Sequence, residues 1–236
     1  MVFFQLDAIR FFTVYIGQGI FSAIYLFIAY KILKRNKGRL NLILSLYYIV
    51  IAIALIINFI YAPIPDLEVQ RILNTLTNYI IFFGLIFLPL FSLLLKKQEK
   101  IKNLHLILII IIYGITLFII MFQDPQSVSI DDSSIAWRPV WELSIFFPLL
   151  IYKTTAIVIP TFILQIQLYR KFQIEELKKK WLYFNLGTGG IFIFSYGIMV
   201  ANTLNDPIFR LIMAIYSISV IFWGYLTYYG VGKQIK

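Results

Sequence analysis

Residues 104–122 read LHLILIIIIYGITLFIIMF and contain no aspartate, glutamate, lysine or arginine. A helix needs about 20 mostly apolar residues to cross the ~30 Å hydrocarbon layer of a bilayer, and this run meets that requirement. Six more apolar stretches of similar length lie on either side of it: Phe11–Tyr30, Leu42–Ala62, Leu76–Leu95, Leu143–Leu168, Trp181–Ala201 and Ile208–Tyr229. The sequence therefore predicts an all-α fold, a bundle of seven transmembrane helices that forms one membrane domain over residues 1–236.

The composition agrees with this prediction. Hydrophobic residues make up 61% of the 236-residue chain and charged residues 14%, against about 45–50% and about 25% in soluble domains. The net charge of +10 does not indicate a nucleic-acid partner, because most of the basic residues lie in short segments on one side of the apolar spans.

The loop charges also predict an orientation. Basic residues cluster after the first, third, fifth and seventh spans: Lys31, Lys34, Arg35, Lys37 and Arg39; Lys96, Lys97, Lys100 and Lys102; Arg170, Lys171, Lys178, Lys179 and Lys180; Lys233 and Lys236. The opposite side is acidic, with Asp7, Asp66, Glu68, Asp124, Asp131, Asp132, Glu142 and Asp206. By the positive-inside rule, the N-terminus is outside and the C-terminus is cytoplasmic. The lysine- and isoleucine-rich usage suggests a multi-pass protein of a prokaryotic cell membrane.

Several chemistries are disfavoured by the residues present. The chain has no cysteine, and His105, its single histidine, lies beside Lys102 and Asn103 at a predicted membrane interface. No carboxylate falls in the middle of a span, and no phosphate-binding loop with a following lysine is present. We therefore predict no metal, no cofactor and no enzymatic activity. The N-terminal span lacks a basic leader and a cleavage pattern, so we expect it to be a retained helix.

Lys153 is the one charged residue deep inside a predicted span. At about 1.5 Å per residue it lies roughly 15 Å into that span, near the middle of the hydrocarbon layer. A charge there costs several kcal/mol unless it is paired or hydrated, so such residues usually have a function. Three interpretations follow: the side chain snorkels outward, it bonds to polar groups of the bundle, or it binds an anionic ligand or lipid headgroup. A retinal-type Schiff base is disfavoured, since no mid-membrane carboxylate is available as counter-ion.

Polar residues near Lys153 complete a predicted ligand site in the outer half of the bundle. Tyr152 and Thr154 flank Lys153, and Asn202 ends the sixth span. Pro160 is expected to kink the fifth helix, and glycines from Gly187 onward let neighbouring helices approach closely. Asn58 and Asn78 either join this cavity or bond across helices. The polar loop 123–142 is either a solvated connector or a cover over an outward pocket, and its Trp137 and Trp141 are expected at the outer interface.

The basic segment between the fifth and sixth spans is a candidate docking surface for a partner, formed by Arg170, Lys171, Lys178, Lys179 and Lys180. Glu175 and Glu176 precede these lysines at spacings that favour ion pairs within a helix. The alternative interpretation is attraction of the segment to anionic lipids.

A family resemblance is carried by the segment from Pro148 to Asn202. Its features are Tyr152 in an apolar helix, a helix end reading Leu168-Tyr169-Arg170-Lys171, and a basic and aromatic helix start from Leu177 to Gly187. This segment resembles the last helices of the seven-helix sensor domain found at the N-terminus of many prokaryotic histidine kinases. In that family a signalling domain follows the last helix, whereas the sequence given stops at Lys236. The resemblance implies a stand-alone sensor that works through another protein.

Three functions remain compatible with these residues. The first is a receptor-like sensor that binds a small ligand or lipid near Lys153 and signals through its basic loops to a partner protein or by forming a homo-oligomer. The second is a small transporter or channel for a polar or anionic solute, built around the kinked fifth span and the glycine-rich sixth span. The third is a non-catalytic subunit of a larger membrane complex. Membrane lipids are expected partners in all three.

Overall fold

The computed structural model describes residues 11–64, 66–97, 100–124, 127–131 and 138–232. These residues form α-helices, joined by short turns, and one small antiparallel sheet. The helices are α1 Gly19–Arg35, α2 Arg39–Tyr61, α3 Leu67–Gly84, α4 Phe87–Lys97, α5 Asn103–Phe122, α6 Leu143–Lys153, α7 Ile159–Lys171, α8 Glu175–Leu204, α9 Pro207–Ser217 and α10 Ser219–Thr227. Wider π-helical turns cover Phe12–Gln18, Thr154–Val158 and Tyr228–Gly232, and the strands are β1 Val128–Asp131 and β2 Arg138–Trp141.

Several of these elements are long and apolar enough to cross a membrane. Among the described residues, six helical stretches have the length and hydropathy needed to cross a membrane: Val14–Arg35, Arg39–Tyr61, Leu67–Lys97, Asn103–Phe122, Leu143–Lys171 and Glu175–Leu204. The two helices Pro207–Ser217 and Ser219–Val231 meet the same requirement only when they are counted as one span, and they are bent by 42° relative to each other. The chain is therefore a mainly helical, multi-pass membrane protein, as the composition predicted.

The helices extend beyond the predicted spans at several ends. The third begins at Leu67 instead of Leu76 because the Asp66 side chain caps it, accepting hydrogen bonds from the backbone N–H groups of Glu68 and Val69 at 2.9 and 3.0 Å. The fifth span ends with α7 at Lys171 and the sixth begins with α8 at Glu175, so the basic segment extends both spans. The first turns of the third helix, before Leu76, contain many polar residues, so a prediction based on uninterrupted apolar residues did not include them.

Two spans contain irregular turns that precede a proline. Pro89 has no N–H group, and in the turn before it Leu88 donates to Leu85 O at 3.2 Å over three residues instead of four. Pro160 follows the π-helical turn Thr154–Val158, in which Ile159 donates to Thr154 O, five residues back. The irregularity predicted at Pro160 is thus a π-helical turn with a five-residue hydrogen bond. The third span has a tighter turn before Pro89, with a three-residue hydrogen bond.

The seventh span is interrupted at Ile218 without a proline. Ser217 and Ser219 flank the bend, and their hydroxyls bond back to the carbonyls of Ala214 and Tyr216, each at 2.6 Å. Such serine bonds compete with the helical backbone pattern and favour bending.

The two ends of the bundle differ in charge, and contacts between spans hold each end together. The basic end carries Arg35, Lys97, Lys171 and Lys178, and the acidic end carries Asp66, Asp124 and Asp206. At the basic end, Arg35 donates to the Tyr228 hydroxyl at 3.2 Å, Arg39 donates to Ile101 O at 2.7 Å, and Lys96 donates to the Gln167 side chain. Spans distant in sequence are thereby joined at the end where the loop charges predicted them to meet.

A short β-hairpin covers part of the acidic end. Val128 pairs with Trp141 and Asp131 pairs with Arg138 in antiparallel register. The hairpin contacts α3 and α8, and Arg210 of α9 donates to Pro139 O at 2.6 Å. Trp141 is buried, with its ring 6.3 Å from that of Phe82, so it packs inward instead of facing the membrane interface. Trp137 lies outside the described residues.

Glycines set the close packing of α8 against the seventh span. A Cβ added at Gly187 would lie 2.5 Å from Thr227 Oγ1 and 2.6 Å from the Trp223 carbonyl oxygen, and one at Gly190 would overlap the Trp223 ring. Gly230, in turn, lies against the α8 backbone at Lys180. The predicted role of the α8 glycines in helix packing is therefore reflected in the structure.

Candidate functional site

Lys153 is buried inside the bundle, with 1% of its surface exposed. Its Nζ donates to Ser195 Oγ at 3.1 Å and to Met199 Sδ at 3.0 Å, both on α8. The Tyr196 ring centroid lies 3.6 Å from Nζ, and the Phe82 ring centroid lies 5.4 Å away. Of the three interpretations of Lys153, this geometry matches bonding to polar groups of the bundle, and snorkelling is not observed.

The buried face of the fifth span explains why Lys153 points inward. Residues four apart along this span are buried, namely Ile145, Leu149, Lys153, Ile157, Thr161 and Gln165. Side chains four apart share one face of a helix, so Lys153 occupies a core position between two aliphatic neighbours. The π-helical turn starts at the next residue, Thr154, and such turns often occur at functional sites.

Thr154 belongs to the same cluster through Tyr196. Its Oγ1 lies 2.6 Å from the Tyr196 hydroxyl and donates to Leu150 O at 2.7 Å. Tyr196 therefore contacts Lys153 through its ring and Thr154 through its hydroxyl. We call Lys153, Thr154, Ser195, Tyr196 and Met199 the lysine cluster.

The two other predicted ligand-site residues lie elsewhere. Tyr152 faces α5, where its ring stacks on Tyr113 at 5.3 Å and its hydroxyl donates to Tyr113 O at 3.2 Å. The structure does not bring it together with Lys153. Asn202 is half-buried, three residues beyond Met199 on α8, and this spacing places it on the same helix face, nearer the acidic end. It is not among the described contacts of the amine, which are Ser195, Met199 and the rings of Tyr196 and Phe82.

The polar residues Asn58 and Asn78 bond within and between helices. Asn58 donates to the Gln18 side chain at 2.6 Å, which joins the first and second spans. Asn78 donates to Asn74 O at 2.9 Å, and Asn74 donates to the Tyr61 hydroxyl at 3.1 Å. Asn58 therefore bonds across helices, as one of the two alternatives predicted, whereas Asn78 bonds to its own helix and fits neither alternative.

Sequence reasoning missed the residues that surround the amine. Ser195, Tyr196 and Met199 occur in an apolar span where nothing marks them individually. A signal was available in the helical spacing, since Trp181, Phe184, Thr188, Phe192, Ser195 and Met199 form one buried stripe along α8. The tyrosines Tyr25, Tyr47 and Tyr48 were also missed; they form a buried cluster, and Tyr48 donates to Gly224 O at 3.0 Å.

The chemistry of the lysine cluster suits an anionic group. Within the described residues, Lys153 forms no ion pair with a carboxylate. Its neighbours are a hydroxyl, a thioether and two aromatic faces, which stabilise a cation more weakly than a carboxylate does. A carboxylate, phosphate or sulfate would stabilise a charged amine more strongly than these neighbours do.

Two of the basic side chains in the basic segment form ion pairs with glutamates of the same helix. Lys178 pairs with Glu175 at 2.9 Å, and Lys180 pairs with Glu176. Arg170, Lys171 and Lys179 are exposed. Tyr169, Leu182 and the residues Glu175, Glu176, Lys178 and Lys179 line an open depression of about 420 Å³.

No family model, no curated protein and no solved structure matches the chain.

Proposed function

We propose that this protein is a receptor-like sensor of the cell membrane, with seven spans, an outside N-terminus and a cytoplasmic C-terminus. It binds a small anionic molecule or a lipid headgroup at Lys153, Thr154 and Asn202 and signals through the basic segment to a partner protein or a second copy. One observation carries the proposal: a buried lysine amine whose contacts in the described structure are a hydroxyl, a thioether and aromatic rings. The resemblance of the fifth and sixth spans to histidine-kinase sensor domains supports the same class.

Access to the amine is proposed from the acidic end, which the charge pattern places outside. Phe82 lies between Lys153 and Trp141, with contacts of 5.4 Å to the amine and 6.3 Å to the indole ring. The hairpin residue Trp141 and Phe82 therefore form a plug over the cluster. Ligand entry requires this plug to shift, and Asn202 then becomes the first polar group that a ligand meets.

Coupling to the basic end is proposed through two continuous helices. Lys153 is joined to Arg170 along the fifth span, a distance of about 25 Å at 1.5 Å per residue. Ser195 and Tyr196 are joined to the basic segment along α8. Separation of Lys153 from Ser195 would move these two helices relative to each other, and the turn between them, residues 172–174, lies at the basic end.

The proposal is tested by purifying the wild-type protein and a Lys153→Met variant in nanodiscs from their expression host and comparing bound molecules by native mass spectrometry. We expect an anionic small molecule or lipid to be retained by the wild type and its occupancy to fall at least tenfold in Lys153→Met. Thr155→Val serves as the control, because Thr155 is exposed and bonds to its own helix at Ile151 O. Identical bound molecules in all three proteins would contradict the site.

A second candidate function, transport of a polar solute, is favoured by the interrupted helices. The fifth span contains a π-helical turn and the seventh is bent by 42°, and discontinuous helices form the substrate sites of many transporters. Liposomes containing the protein distinguish the two functions. Solute-dependent flux that requires Lys153 supports transport, whereas tight binding without flux across a panel of organic anions supports the sensor.

A further inference from the structure

A second group of buried polar side chains lies in the core, apart from the lysine cluster. Gln165 is 0% exposed, and neither its Oε1 nor its Nε2 has a hydrogen-bond partner. Thr188 is also 0% exposed, and its Oγ1 has no partner. The Oδ1 atom of Asn185 is buried and without a partner as well. A buried polar group left unpaired costs free energy, particularly inside a membrane, so these groups require an explanation.

The register of α7 and α8 puts these three residues at about the same height in the bundle. Contacts on both sides fix the register of the two antiparallel helices: Thr154 meets Tyr196 at 2.6 Å, and the Phe172 and Trp181 rings meet at 5.8 Å. Interpolation along the helices places Gln165 opposite the stretch between Asn185 and Thr188.

Thr188 and Asn185 also face the fifth span. Trp181 and Phe184 precede them on the buried stripe of α8, and the Trp181 Nε1 donates to the Gln165 main-chain carbonyl at 2.8 Å. Asn185 and Thr188 lie four and seven residues after Trp181, which returns them to the same helix face. The main-chain carbonyl of Gln165 therefore accepts a hydrogen bond from α8, whereas its side-chain amide has no hydrogen-bond partner.

An apolar layer separates this group from the lysine cluster. Ile157 lies between Lys153 and Thr161 on the buried face of the fifth span, and Phe192 lies between Thr188 and Ser195 on α8; both are at most 2% exposed. The Phe162 ring contacts the Phe192 ring at 5.8 Å. The two polar regions are thus distinct sites, one on each side of this layer.

We propose that Gln165, Asn185 and Thr188 line an internal hydrated pocket on the basic-end side of the apolar layer. Its occupant is water, because the amide and hydroxyl groups each offer donors and acceptors, and water satisfies both kinds of group in one site. The pocket is electrically neutral, since Lys153 is the one charged residue among the buried polar side chains that the structure describes.

The natural absence of cysteine permits a direct test. Single variants Thr188→Cys and Leu186→Cys are reconstituted in nanodiscs and treated with the neutral reagent 2-hydroxyethyl methanethiosulfonate. Leu186 is the matched control, because it is on the same helix at the same level but 51% exposed on the outer surface of the bundle. Only the thiolate reacts, and thiolates form in water and not in hydrocarbon. We expect Thr188→Cys to react at least tenfold faster than Leu186→Cys.

Two further variants complete the experiment. Gln165→Leu in the Thr188→Cys protein removes the amide and is expected to slow the reaction at least fivefold. Thr155→Val in the same background changes an exposed residue that bonds only to its own helix, and it is expected to leave the rate unchanged. Asn185→Cys is a second reporter and should also react faster than the control if Thr188→Cys is poorly folded. Equal rates for both reporters and Leu186→Cys would show a dry core and overturn the pocket, whatever the outcome of ligand binding at Lys153.

Discussion

The Lys153→Met variant is expected to melt about 3 °C higher than the ligand-free wild type in the same detergent, and it is not expected to bind the anion. Methionine has a similar length and no charge, so it fills the core position without placing an amine in hydrocarbon. A central lysine disfavours membrane insertion by about 2.5–3.5 kcal/mol. The variant also loses the bond to Ser195 and the ring contact with Tyr196, which together offset about 2 kcal/mol of this. A net gain of about 1 kcal/mol follows.

Lys179→Met is the matched control for this measurement. Lys179 is exposed at the basic end, and surface substitutions usually change stability by less than about 0.5 kcal/mol. A stabilised but ligand-free Lys153→Met protein would show that the lysine is kept for function at a cost in stability. A drop in melting temperature would instead assign Lys153 a structural role and remove the main support for the sensor.

Gly187→Ala is expected to destabilise the bundle by about 1–3 kcal/mol, the usual cost of overpacking. The added methyl group would meet the Trp223 carbonyl oxygen at 2.6 Å and the Thr227 nitrogen at 2.7 Å. Both are backbone atoms, which cannot rotate away, so α8 and α10 must separate. Thermal unfolding followed by tryptophan fluorescence measures the effect.

Gly189→Ala is the control on the same helix. A methyl group there meets the Phe162 ring at 3.8 Å, an ordinary van der Waals contact. Since alanine also favours the helix more than glycine does, this variant should be as stable as the wild type or slightly more stable. If both variants melted at the same temperature, the close approach of α8 to the seventh span would not contribute to stability.

The helical membrane fold was predictable because a bilayer imposes a simple requirement. Each span must be apolar over a length set by the hydrocarbon layer, and the turns between spans can be polar. Residues 104–122 and α5 therefore agree closely. The start of α3 was missed because the capped first turns after Asp66 are polar and lie beyond the apolar run.

The site was predictable only in part, for a different reason. Lys153 stands out because a charge in a membrane span is rare, and Thr154 follows from its position beside it. Their partners on α8 depend on the register of two antiparallel helices, which a single sequence does not determine. Tyr152 is adjacent to Lys153 in sequence, but adjacent residues point about 100° apart around a helix. Tyr152 therefore faces Tyr113 on α5 and not the lysine cluster.

The interrupted turns of three spans lie at one height in the bundle. Phe82 meets Lys153 and Lys96 meets Gln167, so Leu85 and Ile86 are level with the π-helical turn of the fifth span. The Phe194 and Tyr216 rings meet at 6.2 Å, which places Ile218 at that height as well. Spans three, five and seven therefore have their irregular turns at one height, while α8, which packs against both the fifth and the seventh span, runs through that height as one unbroken helix, so the stiffness of the bundle there depends on α8.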